Sequence, residues 1–158
     1  MEEPRFLADE NVGKLGRRLR MAGFDTMLFG GPDDGEMARL AAEQGRIVLT
    51  RDTRFFERKL VLNGTVKAML LTTGDTSEQF RKVVTALGLA DDIRPFTRCI
   101  EDNRLLLETD KETVKNRLPP FVLLTQEHFM ECPECRRIYW RGTHWRAMRT
   151  LLTEASAT

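Results

Sequence analysis

The sequence predicts an α/β fold with a mostly parallel sheet, and three observations lead to this prediction. Strand-like and helix-like segments alternate four times before the pattern changes near residue 88. The apolar run Ile47, Val48 and Leu49 is typical of a strand that is buried on both faces. The chain of 158 residues is 41% hydrophobic, which is enough to bury a core. Alternation of this kind favours right-handed crossovers, with helices covering the sheet.

Local patterns place each element of the first half. Short apolar runs predict strands at residues 5–8, 25–29, 47–50 and 67–71. Helical spacing or helix-forming composition predicts helices at residues 12–21, 36–43, 53–60 and 76–87. We expect Gly23 and Gly45 to end the first two helices, and Thr76 or Ser77 to cap the fourth.

The second half follows a different pattern. Polar and irregular sequence up to Pro95 interrupts the alternation, so we predict one domain at residues 1–92 and a small C-terminal unit at residues 93–158. Within the second unit we expect an aromatic strand at residues 138–140 and a last helix from about residue 143 to 152.

Composition limits the classes of partner. The 25 basic and 24 acidic side chains give a net charge of +1, so any nucleic-acid site must be a local patch. No apolar stretch suits a membrane span and the first residues do not resemble a secretory signal, so we expect a cytoplasmic protein with no membrane partner. Among the three cysteines, Cys132 and Cys135 form a C-x-x-C pair, which in a reducing compartment favours a metal over a disulfide framework.

Acidic side chains occur where a parallel sheet would bring them together. Asp9 and Asp52 follow predicted strands, and Glu36 opens a predicted helix. Functional crevices in open α/β sheets lie outside the carboxyl ends of the strands. Mg²⁺ or Mn²⁺ held by oxygen ligands can activate water and neutralise the leaving oxygen in phosphodiester hydrolysis. We therefore predict a metal site at Asp9, Glu36 and Asp52. Further acids or polar groups could support it: Asp33, Asp34, Asp75, Glu10 and Asn11.

A simpler interpretation has comparable support. Aspartate after a strand is often only a helix cap, and Asp52 before Thr53, or Asp34 before Glu36, would cap well.

Basic residues could bind phosphates close to these acids. Lys14 and Arg17 lie on the helix after Asp9, whereas Arg18 and Arg20 fit a solvated helix face. Arg51 could orient a phosphate or pair with an acid. Residues 136–149 combine five arginines, including Arg137 and Arg141, with aromatic side chains and no acid. This combination fits a platform for single-stranded RNA, although Trp140 and Trp145 could instead form the small core of the second unit.

Three stretches closely resemble the Mut-seven C-terminal RNase family, a branch of the PIN-like nucleases. They are FLADENVGKLGRRLRMAGFDT at residues 6–26, GRIVLTRD at 45–52 and CPECRRIYWRGTHW at 132–145. The resemblance implies a PIN-like three-layer α/β/α core with a C-terminal zinc ribbon. It also implies metal-dependent RNA cleavage by an acidic cluster, which maps onto Asp9, onto Glu36 or Asp34, and onto Asp52.

The sequence departs from the family pattern at one ligand position. Family members usually begin the ribbon with a C-x-x-C pair, but this chain has Cys99 followed by Asp102. Zinc accepts a carboxylate oxygen, so Cys99, Asp102, Cys132 and Cys135 would still make four ligands. His128 is a competing fourth ligand, and a ribbon that folds by packing alone is the other interpretation.

Two other functions compete with the ribonuclease hypothesis. A phospho-receiver domain would use Asp9, Glu10 and Asp52, but it gives Glu36 no task and needs a lysine after a further strand, for which no strand is evident. A non-catalytic RNA-binding or adaptor protein would keep the basic and aromatic C-terminal unit while the acids are vestigial.

Overall fold

Four parallel strands form the larger sheet of the computed structural model, which describes residues 2–142, 146, 149–150 and 152–153. The strands are β1 (Phe6–Ala8), β2 (Thr26–Leu28), β3 (Ile47–Thr50) and β4 (Ala68–Leu70), in the order β2-β1-β3-β4. Ala8 lies opposite Leu28 on one side and Leu49 on the other. The residues that follow β1 and β3 therefore leave the sheet side by side at its centre, as the predicted alternation requires.

Helices cover both faces of this sheet. The longer ones are α1 (Gly13–Met21), α2 (Asp34–Gln44) and α4 (Thr76–Leu87), and α3 (Lys59–Leu62) is a single turn. One core cluster contains Phe6 and Ala8 of β1 with side chains of α1 and α4, whereas the other contains Leu7 of β1 with side chains of α2. Alternate residues of the same strand thus pack on opposite faces, which gives three layers.

Several helix boundaries differ from the predictions. The single helix predicted at residues 53–60 is a 3₁₀ turn, Thr53–Glu57, followed by α3, because Arg58 has an extended backbone. Asp33 caps α2 in place of Asp34, and Asp75 caps α4 in place of Thr76 or Ser77. In each case a neighbouring aspartate one or two residues earlier reaches the free N–H groups. Gly45 ends α2 in the left-handed conformation, as predicted.

A second, antiparallel sheet lies in the C-terminal half. Its strands β5 (Leu107–Thr109), β6 (Phe129–Glu131) and β7 (Ile138–Trp140) are adjacent in that order, and two short helices, α5 (Lys111–Val114) and α6 (Pro120–Thr125), connect β5 to β6. Strand β7 confirms the predicted aromatic strand, and Trp140 packs against the small apolar core of this unit.

The last helix predicted, at residues 143–152, lies largely outside the described residues, as do His144 and Trp145. Leu152 is buried within the core of the larger sheet. Within the described part of the chain, no helix combines the length and apolarity needed to cross a membrane.

A polar junction joins the larger sheet and its helix α1 to the turn at residues 99–104. The guanidinium of Arg20 donates hydrogen bonds to the carbonyl oxygens of Thr26 (2.8 Å), Ile100 (2.9 Å) and Glu101 (3.0 Å). The Asn103 amide donates to the Asp25 carboxylate at 2.7 Å. The expectation that Arg20 is a solvated cation is wrong, because three carbonyl groups replace its hydration and leave it 6% exposed. Burial lowers the pKa of Arg20.

Candidate functional site

Asp9 and Asp52 are linked through one buried hydroxyl group. Asp9 follows β1, and its Oδ1 accepts a hydrogen bond from the Glu10 backbone N–H at 2.8 Å. Its Oδ2 accepts a hydrogen bond from Thr50 Oγ1 at 2.7 Å, and the same Thr50 oxygen accepts the Asp52 N–H at 3.0 Å. Thr50 is the last residue of β3 and is fully buried. Each carboxylate oxygen of Asp9 keeps a lone pair for a cation.

An arginine holds the carboxylate of Asp52. Asp52 Oδ1 caps the 3₁₀ turn by accepting the Arg54 N–H at 2.9 Å. The Arg54 side chain donates to the same carboxylate from Nε (3.3 Å to Oδ1) and from Nη2 (3.4 Å to Oδ2). The hydrogen bonds from the Arg54 side chain and backbone hold the pKa of Asp52 below its ordinary value. Asp52 is therefore charged and oriented near neutral pH.

The remaining acids lie at the start of α2. Asp33 Oδ1 accepts hydrogen bonds from the N–H groups of Gly35 (2.8 Å) and Glu36 (3.2 Å), and these two bonds lower the pKa of Asp33. Asp34 is half-buried in the first turn of α2. Asp52 raises the pKa of Arg54 most, and the negative charge of Asp34 raises it further. Glu36 is exposed one residue further on. We call Asp9, Asp34, Glu36 and Asp52 the acidic edge.

A cleft of about 710 Å³ opens beside the acidic edge. It is lined by Pro32, Asp33, Asp34, Arg54, Glu57 and Arg58. Arg54 therefore both contacts Asp52 and lines the cleft.

The acids of this edge are not gathered into a single ligand set. Among the described residues, the one group of at least three histidine, cysteine or acidic side chains with ligand atoms within 4.8 Å of one another is Cys99, Asp102, Cys132 and Cys135. Asp9, Asp34, Glu36 and Asp52 form no such group, so their sharing of a metal ion stays a prediction. The capping interpretation is confirmed for Asp9 and Asp52, but one accepted N–H does not use up a carboxylate.

The predicted phosphate-binding residues occupy different surroundings. Lys14 is exposed on α1, and Arg17 forms an ion pair with Glu101 at 3.0 Å. The Arg51 backbone N–H donates to Asn11 Oδ1 at 3.1 Å, which ties together the segments after β1 and β3. Arg137 is exposed, and the Arg141 guanidinium lies 5.4 Å from the centre of the Phe96 ring. Their binding of RNA stays a prediction.

Sequence reasoning does not identify two residues that hold the acidic edge, Thr50 and Arg54. The sequence patterns predict only that Thr50 belongs to a strand and Arg54 to a helix. The Asp-x-Arg pattern of Asp52 and Arg54 is a local signal for the ion pair, because a 3₁₀ turn brings these two side chains together. No local signal identifies Thr50, since its contact with Asp9 spans 41 positions of sequence.

Cys99, Asp102, Cys132 and Cys135, here called the cysteine cluster, are presented by two turns of the same shape. In the first turn Asn103 N–H donates to the Cys99 carbonyl at 3.0 Å, and Cys99 N–H to the Arg104 carbonyl at 2.7 Å. In the second, Arg136 N–H donates to the Cys132 carbonyl at 3.0 Å, and Cys132 N–H to the Arg137 carbonyl at 2.9 Å. Asn103 (φ 70°) and Arg136 (φ 67°) occupy matching left-handed positions.

The ligand atoms of the cysteine cluster are close enough for one metal ion. Cys99 Sγ lies 3.7 Å from Cys135 Sγ, and Cys132 Sγ lies 3.1 Å from Asp102 Oδ2. Burial raises the pKa of the Cys132 thiol. Partial burial works against the charge of Asp102, yet the hydrogen bond from Cys132 and that from the Arg104 N–H hold its pKa below the ordinary value. The cluster could hold a metal ion once its thiols release their protons.

Tyr139 supports the first turn of the cysteine cluster. Its Oη accepts the Ile100 N–H at 3.2 Å and lies 3.1 Å from Cys99 Sγ, so its own proton can be donated to that sulfur. His128 is exposed and is not part of the cluster, so the structure does not bring the competing fourth ligand to it.

The fold and its two sites define an α/β protein with candidate metal ligands in both halves. The family model described as Mut7-C RNAse domain matches residues 4–152, which is nearly the whole chain. The protein belongs to this family, and the family description indicates a nuclease-type function with RNA as the substrate. Neither the curated proteins nor the solved structures gave a match.

Proposed function

We propose that this protein is a metal-dependent ribonuclease with a PIN-like core, in which Asp9, Asp52 and either Asp34 or Glu36 hold Mg²⁺ or Mn²⁺. The observation that carries the proposal is the buried Thr50 hydroxyl, which fixes Asp9 and the Asp52 backbone at the carboxyl ends of the two central strands. A threonine hydroxyl between two acids at this edge orients oxygen ligands towards the region where open α/β sheets bind substrates.

The donor set fits a hard divalent cation. Such ions take oxygen ligands, keep several waters, and are commonly held by one or two carboxylates. Asp9 retains free lone pairs on both oxygens, so it can serve as one ligand without breaking its hydrogen bonds. When bound, the ion would make a water molecule nucleophilic and neutralise charge on the phosphate. Thr50 and the Glu10 N–H would keep Asp9 in place during this chemistry.

For the cysteine cluster we propose a structural zinc ion. Zinc–sulfur bonds of about 2.3 Å in a tetrahedron place two sulfurs about 3.8 Å apart, and the 3.7 Å between Cys99 and Cys135 fits this spacing. Three sulfurs and one carboxylate oxygen are ligand types that zinc accepts. Because Arg20 binds the carbonyls of Ile100 and Glu101, between two of the proposed ligands, zinc would also hold the second unit against the first.

RNA would reach the acidic edge along surfaces that carry Lys14, Arg17, Arg51, Arg137 and Arg141. We propose single-stranded RNA because aromatic side chains next to arginines suit unstacked bases. Arg17 can exchange its exposed Glu101 partner for a phosphate at little cost, since exposed ion pairs are weak.

A non-catalytic RNA-binding or adaptor role is the second candidate. The observation that favours it is the Arg54 guanidinium on Asp52, which neutralises one acid of the proposed site.

The decisive experiment is cleavage of end-labelled single-stranded RNA with and without Mn²⁺. The wild type should cleave only with Mn²⁺, and Asp9→Asn should lose about 100-fold or more of this activity because a neutral amide is a poor ligand. Asparagine also caps, so the fold should be preserved. Asp110→Asn is the matched control, because Asp110 caps α5 in the second unit through the Thr113 N–H at 2.8 Å. Equal cleavage by wild type and Asp9→Asn would reject the catalytic assignment, whereas metal-independent RNA binding without cleavage would favour the adaptor.

A further inference from the structure

We propose that Arg54 is an exchangeable cation, which holds Asp52 while the acidic edge lacks a metal ion and binds an RNA phosphate once an ion has taken its place. This inference rests on the proposed function and assigns to it a substrate-binding residue outside the predicted set.

The geometry of the ion pair makes this exchange simple. Arg54 contacts both oxygens of Asp52 through Nε and Nη2. Its side chain is 82% exposed, whereas that of Asp52 is 22% exposed. The Asp52 carboxylate is therefore largely enclosed by the protein, whereas the Arg54 guanidinium is largely in solvent. Rotation of one exposed side chain separates them.

Asp52 keeps its position when the guanidinium leaves. The Arg54 backbone N–H still donates to Asp52 Oδ1, and Thr50 Oγ1 still accepts the Asp52 backbone N–H. The carboxylate thus stays oriented while its cationic partner changes. A divalent ion next to Asp52 would repel the guanidinium and replace its charge.

The released guanidinium would face the cleft that Arg54 already lines. Arg58 lies on the same cleft, and the acids Asp33, Asp34 and Glu57 line it as well. Acids alone would repel a polyanion, so the two guanidinium groups are the features of this lining that can attract a phosphate. The planar fork of arginine binds phosphate through two hydrogen bonds, as it binds carboxylate in the ion pair. The same group can therefore serve both partners in turn.

The first test measures Mn²⁺ affinity by calorimetric titration of the full chain. Arg54→Gln should bind Mn²⁺ about two- to fivefold more tightly than the wild type, because the ion no longer competes with an exposed ion pair. Arg58→Gln, at the same cleft but without a described ion pair to Asp52, should show a smaller change. Circular dichroism of each variant verifies the fold.

The second test measures RNA affinity with Ca²⁺ in place of Mn²⁺, and again with neither ion added and no chelator present, so that the proposed zinc is retained. RNA integrity is checked on a gel. With the divalent ion, Arg54→Gln should bind single-stranded RNA about five- to tenfold more weakly at low salt. The slope of log affinity against log salt concentration should also become shallower, by the amount expected for the loss of about one phosphate contact. Without Ca²⁺ or Mn²⁺ the two proteins should differ little, because Arg54 of the wild type is engaged with Asp52.

The outcomes separate this inference from the proposed function. Mn²⁺ binding that Asp9→Asn abolishes but Arg54→Gln leaves unchanged would overturn the exchange alone. An equal loss of RNA affinity with and without Ca²⁺ would also overturn it, since Arg54 would then be an ordinary phosphate contact. Absence of Asp9-dependent Mn²⁺ binding in the wild type would instead reject the acidic metal site itself.

Discussion

The acidic edge and the cysteine cluster both offer metal ligands, but they are built in opposite ways. In the cysteine cluster four ligand atoms already lie within 4.8 Å of one another. At the acidic edge, two carboxylates are held by different donors. The Asp9 carboxylate accepts hydrogen bonds from Thr50 and the Glu10 N–H, and the Asp52 carboxylate accepts them from Arg54. The first site is assembled by folding, whereas the second consists of oriented but separate groups.

The difference follows from charge. Neutral thiols can pack together, and burial favours their neutral form by raising the pKa of Cys132. Carboxylates remain charged near neutral pH and repel one another, so each needs hydrogen-bond donors or a cation of its own. Folding can therefore orient the acids singly without gathering them, whereas it can gather the ligand atoms of the cysteine cluster before an ion binds.

The largest effect should separate a structural role from a chemical one. Cys132→Ser should lose bound zinc and lower the free energy of unfolding by about 3 kcal/mol or more, because metal binding contributes directly to folding. Asp9→Asn should change that free energy by about 0.5 kcal/mol or less, since asparagine retains the cap. Zinc content by elemental analysis and unfolding in urea check both values. Equal destabilisation by the two substitutions would contradict the distinction.

A smaller effect should come from the hydroxyl that joins the two acids. Thr50→Val keeps the shape of the side chain but leaves the partly buried Asp52 N–H without its acceptor, which should cost about 1–2 kcal/mol. It should also weaken Mn²⁺ binding, because Asp9 loses the donor that orients it. Thr50→Ser keeps the hydroxyl and serves as the control for Mn²⁺ affinity. If valine and serine gave the same Mn²⁺ affinity, the orienting role of the hydroxyl would be refuted.

The smallest effect concerns pH. The pKa of Asp52 is lower in the folded protein than its ordinary value of 3.8, so its charge stabilises the fold above that value. This contribution is lost as the pH falls through the lowered pKa. The difference in urea midpoint between wild type and Asp52→Asn should therefore be positive at neutral pH and shrink below about pH 4. Any loss of the proposed zinc in acid would be common to both proteins and would cancel in the difference. A difference that is independent of pH would show that the charge of Asp52 is not involved.

Local sequence determined most of the larger sheet. The apolar runs around Leu7 and Val48 predict buried strands. In the structure their consecutive side chains pack alternately into the cores on the two faces of the sheet. The predicted caps of α2 and α4 lie one or two residues after the observed ones, Asp33 and Asp75, because adjacent polar residues have similar capping ability. The break at Arg58 was missed because a 3₁₀ turn and an α-helix share a similar pattern of apolar residues.

The sites were less accessible to sequence reasoning. Placing Asp9 and Asp52 after strands was enough to put them at one end of the sheet. The contact between Asp9 and Thr50 depends on the register of β1 against β3, and the contacts of Arg20 with Ile100 and Glu101 span about 80 positions. Interactions of that range depend on tertiary packing, so no local pattern contains them.

The matching turns around Cys99 and Cys132 have a consequence for which ion the proposed zinc site would prefer. Their shape is set by backbone hydrogen bonds and by the left-handed residues Asn103 and Arg136, and the Asp102 carboxylate adds one contact by accepting the Arg104 N–H at 3.2 Å. Exchanging the carboxylate of Asp102 for a sulfur would therefore alter the hardness of the donor set and remove that one contact, while the backbone hydrogen bonds of the loop stay in place. The ion preference of the proposed zinc site would then depend on one side chain, while the backbone that presents the ligands stays the same.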